Sequence, residues 1–196
     1  MDIILATWNK TKLKWLTEGF LPLGMNIRPV NSDEIKDVEE TGLTSVENAL
    51  LKVRAIGTKP NAIIIGEDSI LSVDALEGFP GVKTVRWAPG TDDDRASGLL
   101  KKLKSVPIEK RTAKFQSAIA VLYPDGKEET FVGELKGSIS EQLVGEIGTG
   151  YLRIFLPPDG YMVGKSGSSK IEKGDHRDQA IKKAIMNIKL WKERKI

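Results

Sequence analysis

The sequence contains no cysteine and a single histidine, His176. The lack of cysteine excludes disulfide bonds, thiol catalysis, and zinc or iron–sulfur sites built on thiolates. One histidine also excludes a histidine-rich metal site within one chain. No apolar run approaches the roughly 18–20 residues of a membrane span, and the N-terminus lacks the pattern of a secretory signal. We therefore expect a cytoplasmic protein without a membrane partner.

An excess of charge of one sign is missing as well. The chain has 30 Lys+Arg and 27 Asp+Glu, a formal net charge of +3 over 196 residues. Basic residues concentrated near the C-terminus account for this excess, so bulk charge does not indicate nucleic-acid binding. With 40% hydrophobic and 29% charged residues, the composition is that of an ordinary globular domain.

The apolar periodicity predicts an α/β fold around a mixed sheet. We predict helices over residues 10–20, 46–57, 92–104 and 177–193, and strands over residues 2–7, 25–30, 62–65, 70–73, 111–123 and 129–139. The acidic segment 31–42 is a predicted loop, and the Gly/Pro/Ser-rich segment 144–175 is predicted to be irregular. Neither a repeat nor a linker is visible, so residues 1–196 are predicted to form one domain.

The first predicted strand ends in a polar turn, Thr7-Trp8-Asn9, before a helix that carries Lys12. Backbone N–H groups at a helix N-terminus attract anions, and a lysine there can meet a phosphate. The same residues also fit an ordinary capped helix with its lysine in solvent. The turn is not a Walker loop, because the pattern Gly-x-x-x-x-Gly-Lys-Ser/Thr is absent.

Carboxylates form a second group, at Glu39, Glu40, Glu47, Glu67 and Asp68. Oxygen ligands of this kind suit Mg²⁺. Asp68 follows the apolar run 63–65, so we predict that it lies at the end of a buried strand, facing a ligand crevice. A charge at such a place needs a functional reason, whereas Glu39 and Glu40 by themselves fit solvated loop residues.

The remaining candidates are basic or aromatic. His176 and Arg177 open the last predicted helix, which suits an anion or a carbonyl group. Tyr151 follows the glycines of Gly148-Thr149-Gly150, a loop whose backbone can approach a flat base, and is a candidate for stacking. Lys52, Arg86, Lys170 and Lys173 complete the basic set.

Six motifs follow one another along the chain. They are Ala6-Thr7-x-Asn9-x-x-Lys12, Glu40-Thr41-Gly42-Leu43-Thr44, Glu47-Asn48-Ala49-x-x-Lys52, Glu67-Asp68-Ser69-x-Leu71-x-Val73-Asp74, Arg111-x-Ala113-x-Phe115 and His176-Arg177-x-x-Ala180. Together, and in this order, they resemble the inosine triphosphate pyrophosphatase family.

The resemblance implies an elongated mixed β-sheet flanked by helices, in two lobes with a central cleft, and a homodimer. It also implies Mg²⁺-dependent hydrolysis of ITP, dITP or XTP to the monophosphate and pyrophosphate. Two other interpretations stay open: the same chemistry on a different nucleotide, and a nucleotide-binding protein without turnover. A nucleic-acid binder that uses the basic last helix would rest on charge alone.

The resemblance also assigns roles to individual residues. Glu40 and Asp68 would bind the metal, Glu47 would be a further or indirect metal contact, and Asp68 would also activate the attacking water. His176 and Arg177 would contact the 6-oxo group of the purine. The substrate-binding residues implied are Thr7, Asn9, Lys12, Lys52, Ser69, Arg86, Thr149, Tyr151, Lys170, His176 and Arg177.

The base-binding half departs from the family pattern. The family sequence Gly-Phe-Gly-Tyr-Asp-Pro corresponds to residues 148–153 here, which places Thr149 where the family has its stacking Phe and Leu152 where it has its purine-reading Asp. Base specificity is therefore not determined by the resemblance.

The start of the last helix differs too. Asp175 replaces the family serine before His-Arg, and the family lysine falls on Ile171, so that Lys170 or Lys173 would take its place. Arg153 and Asp175 could form either a new base-reading pair or a mutual ion pair.

Overall fold

The computed structural model of the protein describes residues 1–35, 38–144, 150–158 and 174–194. Its helices are α1 (Lys10–Phe20), α2 (Ser45–Ile56), α3 (Asp92–Lys102) and α4 (His176–Glu193). Its strands are β1 (Asp2–Leu5), β2 (Asn26–Pro29), β3 (Ala62–Val73), β4 (Pro80–Gly81), β5 (Thr112–Leu122), β6 (Glu128–Ile139) and β7 (Phe155–Leu156). Among these helices, none has the length and hydropathy needed to cross a membrane.

The strands form one mixed sheet in the order β2-β1-β3-β5-β6-β7, with β4 paired to β3. β1 is parallel to both β2 and β3, while β7 is antiparallel to β6. The predicted mixed sheet with flanking helices is therefore confirmed. The chain divides into two compact units: Met1–Ser69, Gln116–Gly133 and Ile171–Ile196 form the first, and Ile70–Phe115 and Glu134–Lys170 form the second.

The first unit has a hydrophobic core on each face of its part of the sheet. Ile63 and Ile65 of β3 belong to the core that α1 and α4 cover, and Ile64 belongs to the core that α2 covers. Successive side chains of a strand point to opposite faces, which produces this division. The same alternation decides where the polar residues further along β3 point.

Two glycines of the first unit allow backbones to approach closely. A Cβ at Gly66 of β3 would lie 2.5 Å from the carbonyl oxygen of Ala49 in α2, and a Cβ at Gly133 of β6 would collide with the carbonyl oxygen of His176. Gly66 therefore lets α2 pack directly against β3, and Gly133 lets the first turn of α4 lie against β6. Both contacts bring functional candidates close to the sheet.

The second unit has its own core, formed by residues from β3, α3, β5, β6 and β7. Within it, the guanidinium group of Arg111 is buried and donates to the carbonyl oxygens of Val106, Leu103 and Ser140, at 2.9, 2.8 and 3.0 Å. Arg111 belongs to one of the family-like motifs, and these contacts give it a structural role.

The structure corrects two expectations about the strands. β3 is continuous from Ala62 to Val73, whereas two strands over residues 62–65 and 70–73 were predicted, because the polar run 66–69 interrupts the apolar pattern. In addition, β7 and a 3-10 turn at Gly150–Arg153 lie within the segment predicted to be irregular. Asp68 is consequently inside a strand rather than at its end.

Candidate active site

The candidate site lies along β3 just beyond the point where its neighbour β1 ends. The β1–β3 pairing stops at Leu5 opposite Ile65, so residues 66–69 extend past the carboxyl end of β1. Glu67 and Ser69 then share the face of the sheet that carries α1, and Asp68 points to the face that carries α2. Side chains from both helices meet β3 at this level.

On the α2 face, Lys52 lies at the centre of the contacts. Its Nζ atom is 2.7 Å from Glu40 Oε1, 3.2 Å from Asp68 Oδ1 and 2.8 Å from the carbonyl oxygen of Glu67. Asn48 Nδ2 lies 3.5 Å from Asp68 Oδ2, and the Oδ1 atom of Asn48 accepts a 2.8 Å hydrogen bond from Gly42 N. Two carboxylates predicted to bind a metal thus converge on one cation.

The pKa of Asp68 is raised above its ordinary value. Burial is the largest cause, because it disfavours the charged form, and the carboxylates of Glu67 and Glu40 act in the same direction. Lys52 and Lys12 oppose the shift. A divalent cation bound to this carboxylate would lower its pKa, because it favours the charged form.

The geometry fits a magnesium ion held by Glu40 and Asp68. Their oxygens already contact a single positive charge, and oxygen is the donor atom that Mg²⁺ prefers. Over the described parts of the chain, no group of three or more His, Cys, Asp or Glu side chains is arranged for a metal. Two carboxylates suffice, however, since Mg²⁺ commonly takes its other ligands from phosphates and water.

On the α1 face, Glu67 is the central residue. Its carboxylate is only 1% exposed, and its Oε2 atom lies 2.8 Å from Lys12 Nζ. Ser117 of β5 donates to Oε1 at 2.9 Å, and Ser69 donates a short hydrogen bond to the same atom. Burial raises the pKa of Glu67, but Lys12, Lys52 and Ser69 together lower it to about 2, so the carboxylate is ionised.

The turn before α1 is built as a helix cap. Asn9 Oδ1 accepts hydrogen bonds from Thr11 N and Lys12 N, at 3.0 and 3.1 Å, and Thr7 Oγ1 accepts one from Asn9 N at 3.2 Å. Asparagine at this position satisfies N–H groups that have no partner within the helix. The predicted helix cap is confirmed. The solvated lysine of the same interpretation is wrong, because Lys12 lies beside Glu67.

His176 and Arg177 open α4 as predicted. The imidazole is only 2% exposed, and burial together with the charge of Arg177 lowers its pKa to about 3. His176 is therefore neutral at physiological pH. The Arg177 guanidinium carbon lies 5.3 Å from the centre of the buried Trp15 ring of α1, which is a cation–π distance.

A comparison with known proteins identifies the family. The family model described as the Ham1 family matches residues 3–187. The chain belongs to the Ham1 family. The resemblance to the inosine triphosphate pyrophosphatase family, drawn from the sequence motifs, is thereby confirmed.

Several Ham1 relatives cover almost the full length of this chain. A protein from Halalkalibacterium halodurans, named a non-canonical purine NTP pyrophosphatase homolog, is 42% identical over 96% of each chain. A protein from Symbiobacterium thermophilum, named a dITP/XTP pyrophosphatase, is 39% identical over 93% of this chain and 92% of its own.

Solved Ham1 structures show the same fold. The structure of a HAM1 protein from Coxiella burnetii has a TM-score of 0.84 at 28% identity and covers 96% of this chain and 98% of its own. The Ham1 protein of Staphylococcus aureus has a TM-score of 0.81 at 30% identity, with the same coverage. The predicted α/β fold is confirmed.

Glu47 has the contacts of a structural residue. Its Oε2 atom accepts from Leu43 N at 2.6 Å and from Thr44 N at 3.1 Å, while the Thr44 hydroxyl accepts from Glu47 N at 3.1 Å. This reciprocal arrangement is a capping box, which stabilises the start of α2. The metal contact predicted for Glu47 stays a prediction, and the Glu40–Lys52–Asp68 cluster does not include it.

The base-binding candidates of the second unit lie in different surroundings. The Tyr151 ring is 8% exposed within the core, where its hydroxyl accepts from Trp87 Nε1 at 2.6 Å and donates to the Thr84 carbonyl at 2.9 Å. That this ring stacks on a base stays a prediction. Arg86 is exposed, and Thr149 and Lys170 lie outside the described residues.

Arg153 and Asp175, two of the residues that depart from the family pattern, each have a contact within their own unit. Arg153 Nη1 lies 2.7 Å from Asp93 Oδ2. Asp175 is the N-cap of α4, and its Oδ1 atom accepts from Asp178 N at 2.7 Å. These contacts place Arg153 in the second unit's packing and make Asp175 a substitute for a serine cap.

Sequence reasoning did not assign roles to Glu67, Ser117 or Trp15. Glu67 was noted only as the neighbour of Asp68, and Ser117 and Trp15 lie in segments that read as ordinary strand and helix. One signal was available for Glu67: a charged residue directly after three isoleucines and a glycine in a buried strand requires a partner of opposite charge.

Proposed function

We propose that this chain hydrolyses purine nucleoside triphosphates such as ITP, dITP and XTP to the nucleoside monophosphate and pyrophosphate, with Mg²⁺ as cofactor. Its Ham1 relatives are named pyrophosphatases, which are enzymes that hydrolyse phosphoanhydride bonds. The observation that carries the proposal is that Glu40 and Asp68 both contact the Lys52 ammonium. The Lys12–Glu67 ion pair lies on the opposite face of the same strand.

Glu40 and Asp68 would hold the metal. When bound, Mg²⁺ would supply charge neutralisation for the triphosphate. Lys52 now occupies the space between the two carboxylates, so its ammonium must move when they take another cation. A lysine released from these carboxylates is well placed to meet an anionic phosphate instead.

Asp68 would take the proton of the attacking water. Lys52 and Asn48 support this role, because they orient its two oxygens. The products imply that the phosphoanhydride bond between the α- and β-phosphates breaks. The water oxygen bonds to the α-phosphorus as this bond breaks. One water proton passes to the Asp68 carboxylate, and pyrophosphate leaves with the bridging oxygen.

The triphosphate would be bound by Lys12 and the first turn of α1. Asn9 already satisfies the N–H groups of Thr11 and Lys12, so the anion is attracted by the helix N-terminus and by the lysine charge rather than by these two N–H groups. The Lys12 ammonium carries three N–H donors, and Glu67 accepts from one of them.

The purine would be selected at the start of α4. Arg177 offers permanent donors, and the neutral imidazole of His176 offers one donor and one acceptor. A 6-oxo group accepts from such donors, whereas a 6-amino group leaves them unpaired, which disfavours adenine nucleotides.

The homodimer and the cytoplasmic location stay predictions.

The test is pyrophosphate release from a panel of nucleoside triphosphates, with and without Mg²⁺. We expect metal-dependent release that favours ITP, dITP or XTP over ATP, which carries a 6-amino group. Release that favours another nucleotide would retain the chemistry and refute the substrate assignment. Binding without release from any member of the panel would refute the enzymatic proposal.

A further inference from the structure

The side chain of Glu67 is almost completely buried, and its carboxylate contacts three other side chains. The Lys12 ammonium lies at Oε2, and the hydroxyls of Ser69 and Ser117 both donate to Oε1. Glu67 accepts in all three contacts, because an ammonium group can only donate. Ser117 is itself fully buried in β5, and its hydroxyl holds the carboxylate in place by a hydrogen bond.

The pair with Glu67 decides where the charge of Lys12 lies. A lysine side chain is a point charge on a flexible four-carbon stem, and it does not hold one position without a partner. The 2.8 Å contact to a rigid, buried carboxylate gives Lys12 such a position at the first turn of α1.

The contact to Ser69 has a different consequence. A serine hydroxyl has a single proton, and the Ser69 hydroxyl donates it in a hydrogen bond to Glu67. Ser69 therefore fixes the carboxylate, as Ser117 does, and has no proton left to donate to a phosphate.

We propose that Glu67 is a positioning residue, whose carboxylate holds the Lys12 ammonium in the place that receives the triphosphate, with Ser69 and Ser117 fixing the carboxylate. The inference rests on the proposed function, because Lys12 binds phosphate only if that function is correct. Glu67 acts through Lys12 and does not itself touch the substrate.

Removing the Glu67 charge has two opposite effects on a substrate that Lys12 binds. In Glu67→Gln, the Lys12 charge is no longer opposed, so the attraction for an anionic substrate does not weaken. The lysine has lost its fixed position, however, so the triphosphate is aligned less often. Turnover should fall while KM stays constant or decreases.

The first arm of the test measures whether Glu67 holds Lys12, and it needs no activity. Amine acylation of the metal-free protein is followed by peptide mass spectrometry, with exposed Lys14 in the same helix as the internal reference. We expect Glu67→Gln to accelerate labelling of Lys12 relative to Lys14 by about tenfold, the effect of losing one hydrogen bond to a charged group. Glu128→Gln, which removes the charge of an exposed carboxylate paired with Arg54, is the matched control and should change neither rate.

The second arm measures kcat and KM separately. We expect Glu67→Gln to lower kcat by about tenfold or more without raising KM, and Ser117→Ala to show the same pattern more weakly. A kcat that does not change, or a KM that rises in proportion as kcat falls, would overturn the proposal. If Glu67→Gln does not fold, Ser117→Ala decides by the same criteria.

The two proposals fail in different ways. Wild-type protein that releases no pyrophosphate refutes the proposed function, and the labelling arm then decides alone whether Glu67 positions Lys12. Equal labelling of Lys12 in wild type and Glu67→Gln refutes the positioning role even if the wild-type enzyme is fully active.

Discussion

The ammonium of Lys52 lies 3.2 Å from Oδ1 of Asp68, where the proposed function requires a cation. The same ammonium is 2.7 Å from Glu40, so one lysine neutralises both carboxylates of the proposed metal site. In the metal-free protein, Lys52 therefore serves as an internal counterion.

Lys52→Met should destabilise the metal-free protein and increase its response to Mg²⁺. Removing one partner of a buried ion pair leaves an uncompensated charge, which costs about 3 kcal/mol. Mg²⁺ should recover part of this loss, because it neutralises the same carboxylates. Urea unfolding with and without Mg²⁺ measures both effects.

Arg54→Met provides the control on the same helix. Arg54 pairs with exposed Glu128, and loss of an exposed pair costs about 1 kcal/mol or less. If Mg²⁺ stabilised wild type and Lys52→Met equally, Lys52 would not occupy the metal position.

His176 should stay neutral over the physiological pH range. Burial and Arg177 lower its pKa from 6.5 to about 3, so the unfolded chain takes up a proton between these values while the folded chain does not. Stability should consequently be greatest above pH 6.5 and fall as the pH decreases toward 3, by at most about 1.4 kcal/mol per pH unit from this group.

Nuclear magnetic resonance can follow this group without ambiguity, since the chain has only one histidine. We expect no imidazole titration between pH 5 and 8. A midpoint near 6.5 would show that the imidazole is exposed to water in solution and would contradict its assigned place at the start of α4.

Gly133→Ala should displace the start of α4. The added methyl group would collide with the carbonyl oxygen of His176, a backbone atom that cannot move alone. We expect a loss of about 2–3 kcal/mol in unfolding free energy, in the range of overpacked sites. Thr130→Ala, at an exposed position of the same strand, should change stability by about 0.5 kcal/mol or less; equal effects of the two variants would contradict the close approach.

Glu40 and Glu47 should behave differently when each is replaced by glutamine. Glu40→Gln should raise the Mg²⁺ concentration needed for half-maximal activity, because it removes a ligand charge. Glu47→Gln should leave that concentration unchanged and keep the capping box, because a glutamine amide oxygen accepts from the same two N–H groups. A raised Mg²⁺ requirement in Glu47→Gln would instead support the metal contact predicted from the family motif.

Much of the fold and site follows from local sequence patterns, for identifiable reasons. The helix periods and caps locate α1, α2 and α4 to within a few residues, because each apolar stripe and each capping side chain acts locally. The family resemblance assigned one metal to Glu40 and Asp68, and in the structure both carboxylates contact Lys52; their roles stay predictions.

What sequence reasoning missed depends on contacts between distant segments. The length of β3 is set by its partners, since β4 pairs with residues 71 and 72 after β1 has ended. The role of Glu67 requires α1 and β5 to meet β3, and the burial of Tyr151 requires Trp87, 64 residues away. None of these pairings leaves a local pattern.

The most direct test compares pyrophosphate release from dITP, in the presence of Mg²⁺, by wild type, Asp68→Asn and the control Asp2→Asn. Asp2 lies at the other end of β1, away from the site. We expect Asp68→Asn to lose at least about a hundredfold in rate with its fold intact, because it loses both a metal ligand and the proton acceptor, and Asp2→Asn to match wild type. Asp68→Asn that releases pyrophosphate at the wild-type rate would contradict the assignment of Asp68 as the catalytic residue.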